Sequence, residues 1–108
     1  MSNSRLDSLL AMLIESPNDS FIIYAIAKEY ESQEIFDKAL EYYEILDNND
    51  PDYVGRYYHH GKLLWKLGKD EESLQVLDKG IETAKRVGDQ HALGEMKQLR
   101  WEISDEDM

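Results

Sequence analysis

Aromatic rings alternate with lysines along one face of two short segments in this 108-residue chain. Residues three, four or seven positions apart lie on the same side of an α-helix, which gives each segment such a face. These residues are Tyr24, Lys28 and Glu31 in the first segment and Tyr58, Lys62, Trp65 and Lys66 in the second. Rings can bury apolar side chains while lysines meet carboxylates. The pattern therefore indicates recognition of an extended peptide.

The lysines stand out because bases are scarce in a chain whose formal net charge is −11. Our hypothesis is that Lys28, Lys62 and Lys66 form a locally positive strip on a negative protein. Such a strip favours an acidic segment or a C-terminal carboxylate. The alternative left open is that the lysines are only solvated and that the aromatic rings pack against a neighbouring helix.

Other residue types that support chemistry do not form a recognisable site. The chain has no cysteine, which rules out a thiol nucleophile or a cysteine metal site. His59 and His60 are adjacent, so on a helix they point about 100° apart and do not share a face. Paired acids such as Glu71 and Glu72 suit the opening of a helix, where they gain from its dipole. We find no phosphate-binding glycine loop and no nucleophile motif, and we expect neither an enzyme, a cofactor nor a metal.

Two helices are predicted to position the first face. Apolar residues at helical spacing occupy positions 23, 26, 27 and 30, and a second periodic run covers 36 to 46. Between them, Ser32, Gln33 and Glu34 make a short break, and the unit ends before Pro51, which cannot continue a helix. So short a connection forces the two helices to lie antiparallel. The small residues Ala27 and Ala39 are expected where they cross.

The same landmarks recur 34 residues later. Small residues stay small, as Gly61 follows Ala27, and large residues stay large, as Leu64 follows Tyr30. The break recurs near Gly68, which suits a helix C-terminus, and Asp70 suits the N-cap of the next helix. A fixed period of this length is typical of stacked helical repeats.

This pattern resembles the tetratricopeptide repeat (TPR) family, whose signature is W-x2-L-G-x2-Y, then A-x3-F, then P. The first unit has Ile23-x2-Ile26-Ala27-x2-Tyr30, Ala39-x3-Tyr43 and Pro51, and the second has Tyr57-x2-His60-Gly61-x2-Leu64 and Ser73-x3-Leu77. The second departs from the family at His60, at Gly80 where an alanine is usual, and at Lys85 in place of the proline.

The resemblance implies an all-α fold: a right-handed stack of antiparallel helix hairpins, a TPR-like α-solenoid, with about six helices. It places a ligand groove on the inner faces of the first helix of each repeat. By position, this adds His59 to the seven residues named above as partner-binding residues. It also implies a closing helix after the last repeat. The asparagines and basic residues of chaperone-tail clamps are not matched, because Ala25 and His59 stand at the corresponding positions.

The expected organisation is a single TPR-like domain over residues 1–103. Its parts are a lead helix 4–15, repeat one 18–51, repeat two 52–87 and a closing helix 89–103, followed by a frayed acidic tail 104–108. The lead helix carries a leucine stripe that would pack on the first hairpin. Residues 1–53 hold 12 acids and three bases, a net −9, and the rest of the chain is near −2. This charge disfavours nucleic acid and anionic membranes as partners.

We therefore predict a non-catalytic adaptor that binds a protein or an extended peptide, in particular an acidic one, on its concave face. The alternative is a self-assembling module that forms a homodimer through the closing helix, using Arg100 and Trp101, or through an exposed helix end. The N-terminus resembles no signal peptide and the longest apolar run is too short to span a bilayer. We expect a cytoplasmic location.

Overall fold

The computed structural model describes residues 4–106, which form six α-helices and no strand. In chain order they are α1 (Ser4–Glu15), α2 (Ser20–Ser32), α3 (Phe36–Asn49), α4 (Gly55–Lys66), α5 (Asp70–Val87) and α6 (Gln90–Glu106). The predicted all-α class and the number of helices are confirmed. None of the helices within the described range is both long and apolar enough to cross a membrane.

The chain divides into two compact units between Tyr53 and Val54. The N-terminal unit contains α1 to α3, and the C-terminal unit contains α4 to α6. This boundary lies two residues beyond Pro51, where the sequence predicts the first repeat to end. The prediction of one domain over residues 1–103 stays a prediction.

In the N-terminal unit, α1 and α3 both pack on α2. Helix α2 starts at Ser20, because the side chain of Asp19 accepts a hydrogen bond from the backbone N–H of Ile22 at 3.0 Å. This bond satisfies one of the donors that the first turn of a helix leaves without a partner. Leu6 of α1 is buried in a cluster with Ile22 and Ile26 of α2. The leucine stripe of the lead helix thus packs on the first hairpin.

In the C-terminal unit, α4, α5 and α6 pack on one another. Their common core includes Tyr57 of α4, Leu77 of α5 and Met96 of α6, all fully buried. At Gly80 on α5 a Cβ atom would lie 2.5 Å from Tyr57 Cβ and 2.5 Å from Met96 Sδ. Glycine is thus required there by close approach, which accounts for the departure from alanine.

The ends of α2 and α4 have the same backbone design in the two repeats. Gly68 has φ +78°, and Glu34, which stands one 34-residue period earlier, has φ +60°. At each position the next residue closes the helix: Lys69 N–H donates to Leu64 O at 2.8 Å and Ile35 N–H donates to Tyr30 O at 3.0 Å. These are the bonds of a Schellman motif. The first repeat thus holds a glutamate in a conformation that favours glycine.

Two sequence predictions about helix ends need correction. The N-cap of α5 is Lys69, and Asp70 is instead the first residue of the helix, where its charge complements the helix dipole beside Glu71 and Glu72. The closing helix does not end at Ile103 but continues to Glu106, because no glycine or proline interrupts it there. The helix thus includes residues 104–106 of the predicted tail, whose fraying stays a prediction, and positions 107 and 108 lie outside the described residues.

Candidate functional site

The predicted residues of the second repeat lie on one continuous side of α4. At about 100° per residue, Trp65, Tyr58, Lys62, Lys66 and His59 fall in that order over roughly 120° of the helix circumference. They extend over about 12 Å along the helix axis, at about 1.5 Å per residue. We call this set the α4 surface. Helical periodicity alone therefore brings these five side chains together.

The rings and cations of the α4 surface contact one another. The Tyr58 and His59 rings meet edge to face, with their centroids 5.3 Å apart and their planes at 84°. Lys62 Nζ lies 5.7 Å from the centroid of the Tyr58 ring, within the range of a cation–π interaction. An exposed interaction of this kind is weak, so it does not fix Lys62 on the ring.

The two large rings are anchored on their inner side. Tyr58 and Trp65 are half-buried and pack against the core cluster of the C-terminal unit. The sequence left open that the aromatic rings pack inside the protein, and for one side of Tyr58 and Trp65 the structure shows such packing. Lys62 and Lys66 remain exposed. Anchored rings beside exposed cations lose little conformational freedom when a ligand binds, which lowers the entropic cost of binding.

The opposite side of α4 is fixed to α5. Ser73 Oγ donates a hydrogen bond to the backbone oxygen of Gly61 at 2.6 Å. A Cβ on Gly61 would lie 2.7 Å from two side-chain carbons of Leu77, so the two helix backbones approach closely there. This contact determines which side of α4 faces the core. Because α4 presents this side to α5, the residues of the α4 surface lie away from the contact.

A buried polar pair on α4 was only half predicted. His60 is buried, as its core position suggests, and Arg56 Nη1 lies 2.9 Å from His60 Nδ1. A guanidinium only donates hydrogen bonds, so Nδ1 must be the acceptor and the imidazole proton resides on Nε2. The Arg56 guanidinium also stacks 3.7 Å from the centroid of the Tyr57 ring. The four-residue spacing of Arg56 and His60 was the signal in the sequence that would have identified the pair.

In the first repeat, the predicted binding residues take part in interactions within the N-terminal unit. The ring of Tyr24 lies 5.5 Å from that of Tyr53. Lys28 Nζ is 4.0 Å from Glu31 Oε1, and the same oxygen accepts a hydrogen bond from the hydroxyl of the fully buried Tyr43 at 2.8 Å. Burial, together with Glu31, raises the pKa of Tyr43 well above its usual range. Glu31 thus has a structural role that the sequence did not indicate.

The predicted residues occupy equivalent positions in the two repeats, and their exposure differs at the lysines: Lys28 is half-buried, whereas Lys62 is exposed. Those on α2 belong to the N-terminal unit and those on α4 to the C-terminal unit. A groove shared by the two sets stays a prediction, and so does the positive strip that would include Lys28. Among the described residues, no group of three or more histidines and acids is arranged to hold a metal ion.

The side chains proposed for self-assembly also differ from each other. Trp101 on α6 is 63% exposed. Arg100 instead donates hydrogen bonds to the carboxylate of Asp78 on α5, and its Nη1 lies 3.4 Å from Ser104 Oγ. Arg100 therefore ties α6 to α5, whereas Trp101 presents an aromatic ring to solvent.

Comparison with solved structures identifies relatives of the whole fold. A tetratricopeptide repeat domain protein from Salinibacter ruber, solved by NMR, is 37% identical, with a TM-score of 0.77, over 81% of this chain and 88% of its own. A protein from Bordetella parapertussis is 26% identical, with a TM-score of 0.84, over 99% of this chain and 92% of its own. The TPR2B domain of yeast Sti1, in complex with pHsp70, has a TM-score of 0.86 at 18% identity, over 94% of this chain and 81% of its own.

Neither a family model nor a curated protein sequence matches the chain. The structural neighbours nonetheless agree with the sequence on the fold, which is an all-α helical repeat of the kind that the 34-residue period predicts.

Proposed function

Because this chain belongs to the tetratricopeptide repeat family, we propose that it is a non-catalytic module that binds a protein segment on the α4 surface. The observation that supports this proposal is the combination found there: two half-buried rings, Tyr58 and Trp65, beside two exposed cations, Lys62 and Lys66. Rings anchored at a surface are typical of residues that contribute most to protein binding. The module works by holding its partner and makes no covalent bond.

Structural neighbours of the same fold support a role in protein binding. The yeast Sti1 domain is in complex with pHsp70. Another neighbour is the type III secretion translocator chaperone SycD from Yersinia enterocolitica. Both are less than 20% identical to this chain, so the chemistry of the partner has to be inferred from this chain's own residues.

The size of the α4 surface suits a short extended segment. Its length of about 12 Å corresponds to roughly three or four residues of an extended chain at about 3.3–3.6 Å each. In such a segment, alternate side chains point to the same side. One or two apolar side chains can therefore lie against Tyr58 and Trp65 while neighbouring carboxylates meet Lys62 and Lys66.

The distribution of charge favours an acidic partner at this surface. Nine of the chain's 12 lysines and arginines belong to the C-terminal unit. Lys66 also lies in the last turn of α4, where a cation complements the helix dipole. Complementary charge mainly raises the association rate and the selectivity for acidic sequences.

The experiment is a titration of the full chain with a synthetic acidic peptide that carries two leucines among aspartates and glutamates. Trp101→Phe provides a background in which Trp65 is the remaining tryptophan, so its fluorescence reports binding at the α4 surface. In that background, we expect Lys62→Glu to weaken binding about tenfold, since an attractive ion pair is replaced by a repulsive one.

Lys97→Glu is the matched control, because it makes the same charge change at an exposed position on α6. We expect the control to bind the peptide nearly as tightly as the parent chain. Equal affinity of Lys62→Glu and the parent would rule out the α4 surface. An equal loss in both variants would mean that only net charge matters, which would also reject a specific site.

The second candidate function is self-assembly, and the exposure of Trp101 favours it. A homodimer that buries this ring would show twice the mass of the chain in light scattering, and Trp101→Ala would return it to a monomer. We base this candidate on Trp101 alone, because Arg100 is already engaged by Asp78. A monomer at all concentrations tested would leave the binding module as the single candidate.

A further inference from the structure

We propose a second docking surface, in the N-terminal unit, that takes a basic amphipathic segment of a partner protein. It is an apolar groove of 350 Å³ lined by Leu10, Leu13 and Ile14 of α1 and Tyr42 of α3. We call it the α1–α3 groove. It goes beyond the function proposed above, because it lies on other helices and selects the opposite charge.

The groove is formed because α1 and α3 both pack on α2 and leave space between them. Leu10, Leu13 and Tyr42 pack with one side against the cluster of Leu6, Ile22 and Ile26. The Tyr42 ring also lies 5.7 Å from that of Tyr30 on α2. The groove therefore has an apolar floor held by the unit's own core.

One wall of the groove is unusually exposed. Ile14 lines it, yet this side chain is 82% exposed. A large aliphatic side chain gains free energy when it leaves water, in proportion to the apolar area that is covered. A partner that packs an apolar side chain against Ile14 therefore gains binding free energy, because it removes the apolar surface of Ile14 from water.

Charge determines what kind of segment fits. The N-terminal unit has 12 acids and only three bases. Each base already lies beside an acid: Arg5 Nε is 3.1 Å from Glu29, Lys28 Nζ is 4.0 Å from Glu31, and Lys38 Nζ is 3.5 Å from Glu41. An excess of nine carboxylates remains, and it gives the N-terminal unit a negative potential.

Negative charge also reaches the groove locally. Asp7 lies three residues before Leu10 and seven before Ile14, so it lies on the groove side of α1 and is exposed. On α3, burial raises the pKa of the Tyr42 hydroxyl, with further contributions from Tyr30 and Glu41, while Lys38 opposes them. A carboxylate thus stands beside the apolar floor on α1, and on α3 Glu41 acts on Tyr42 while Lys38 partly neutralises it.

This combination selects an amphipathic segment with lysines or arginines beside its apolar face. Only one lining residue, Tyr42, carries a polar group, whereas small-molecule sites usually contain several convergent polar groups. A helix that inserts side chains at i, i+3, i+4 and i+7 into an apolar groove is a common recognition mode. Its flanking cations would meet Asp7 and would compete with Lys38 for Glu41.

The probe is a synthetic 14-residue peptide, about four helical turns, with leucine at i, i+3, i+4 and i+7 and lysine among the remaining positions. Calorimetric titration of the full chain measures its affinity. Two control peptides accompany it: one with the same composition in scrambled order, and one with glutamate in place of lysine. We expect the designed peptide to bind at least tenfold more tightly than either.

The protein variant is Ile14→Ser, with Met12→Ser as its matched control. Both side chains are exposed on α1, 82% and 51% respectively, so neither change removes a core contact, and only Ile14 lines the groove. We expect Ile14→Ser to weaken binding about tenfold, as for the loss of one buried aliphatic side chain. Met12→Ser should change it less than twofold.

Several results would overturn the proposal. The first is that the scrambled or the acidic peptide binds as tightly as the designed one. The second is that Ile14→Ser binds the designed peptide with the affinity of the parent chain. The third is that the NMR chemical shifts that change on binding belong to α4 and not to Leu10 and Leu13. The groove would instead bind a second copy of the chain if the parent chain formed a dimer and did not bind the peptide, and if Ile14→Ser dissociated that dimer. Lys62→Glu should leave this binding intact, so failure here is distinguishable from failure at the α4 surface.

Discussion

Replacing Gly80 by alanine tests how closely α4, α5 and α6 approach one another. A Cβ at Gly80 would lie 2.5 Å from Tyr57 Cβ and 2.5 Å from Met96 Sδ. Carbon atoms in favourable contact are about 3.5–4.0 Å apart, so a displacement of roughly 1 Å is required. The Met96 sulfur lies on a flexible side chain and can turn aside. Tyr57 Cβ is attached directly to the backbone of α4, so the helices themselves must separate.

The magnitude follows from comparison with Gly94→Ala. Both glycines lie inside helices, but nothing lies within 4 Å of a Cβ built on Gly94. Alanine is favoured over glycine in a helix interior by about 1 kcal/mol, and this gain applies at both positions. Forcing an extra methyl group into a packed core costs about 1–3 kcal/mol. Because Tyr57 cannot yield locally, we expect the two variants to differ by about 2–3 kcal/mol in the free energy of unfolding.

Urea unfolding followed by tryptophan fluorescence is the appropriate assay. Both tryptophans of the chain, Trp65 and Trp101, belong to the C-terminal unit, so the signal reports the unit that carries both glycines. We expect the midpoint to rise for Gly94→Ala and to fall for Gly80→Ala, without a change in the slope of the transition. If Gly80→Ala were as stable as Gly94→Ala, the close approach of the helices, and with it the argument for how α4 is held, would be refuted.

Three further predictions concern two positions in the N-terminal unit, Glu34 and Tyr43, and Gly68, which lies one repeat after Glu34. Glu34→Gly should stabilise the chain by about 1 kcal/mol, because the left-handed conformation at φ +60° costs a non-glycine residue about 1–2 kcal/mol, less the entropy lost by glycine. Gly68→Ala, at φ +78° with open space around it, should destabilise the chain by a similar amount in the same thermal or urea melt. A variant as stable as the parent chain would contradict the prediction made for it. Tyr43→Phe should cost about 1–2 kcal/mol at neutral pH, for the lost hydrogen bond to Glu31. Folding raises the pKa of Tyr43, so the Tyr43 hydroxyl stabilises the folded state fully below the usual tyrosine pKa near 10, and this stabilisation is lost progressively at higher pH. The difference in free energy of unfolding between the parent chain and Tyr43→Phe should therefore narrow in urea melts as the pH rises past 10.

The helical framework could be predicted from the sequence because it depends on spacing and on chain breaks. Apolar periodicity located the helices, and Gly68 located a helix end, where it adopts φ +78°. Two further helix ends carry local signals of the same kind. Gly88 adopts φ +82° after α5, and Asp89 accepts a bond from the backbone N–H of Ala92 at 3.0 Å. Such local signals act over a few residues, so they can be read without knowledge of the tertiary structure.

The roles of individual polar side chains could not be predicted in the same way. Glu31 stands on the predicted binding face of α2, but its carboxylate accepts a hydrogen bond from the hydroxyl of Tyr43 on α3. Twelve residues separate them, and no local pattern shows that the ring would bring its hydroxyl to that carboxylate. The α1–α3 groove is a similar case, since its residues Leu13 and Tyr42 come from helices that are not consecutive in the chain. Tertiary packing decides these features.

Equivalent positions in the two repeats have diverged, which limits what family analogy can assign. Lys28 and Lys62 are 34 residues apart, yet Lys28 lies beside Glu31 in an acidic unit whereas Lys62 lies over the Tyr58 ring. At the next pair of positions, Glu31 corresponds to Trp65, so a residue that accepts a hydrogen bond from the core is replaced by an anchored ring. Exposure and charge, more than repeat position, therefore indicate where a partner binds. On that basis we propose that the α4 surface selects acidic segments and that the α1–α3 groove selects basic ones. A single partner that occupied both would then need to carry the two kinds of segment in separate places.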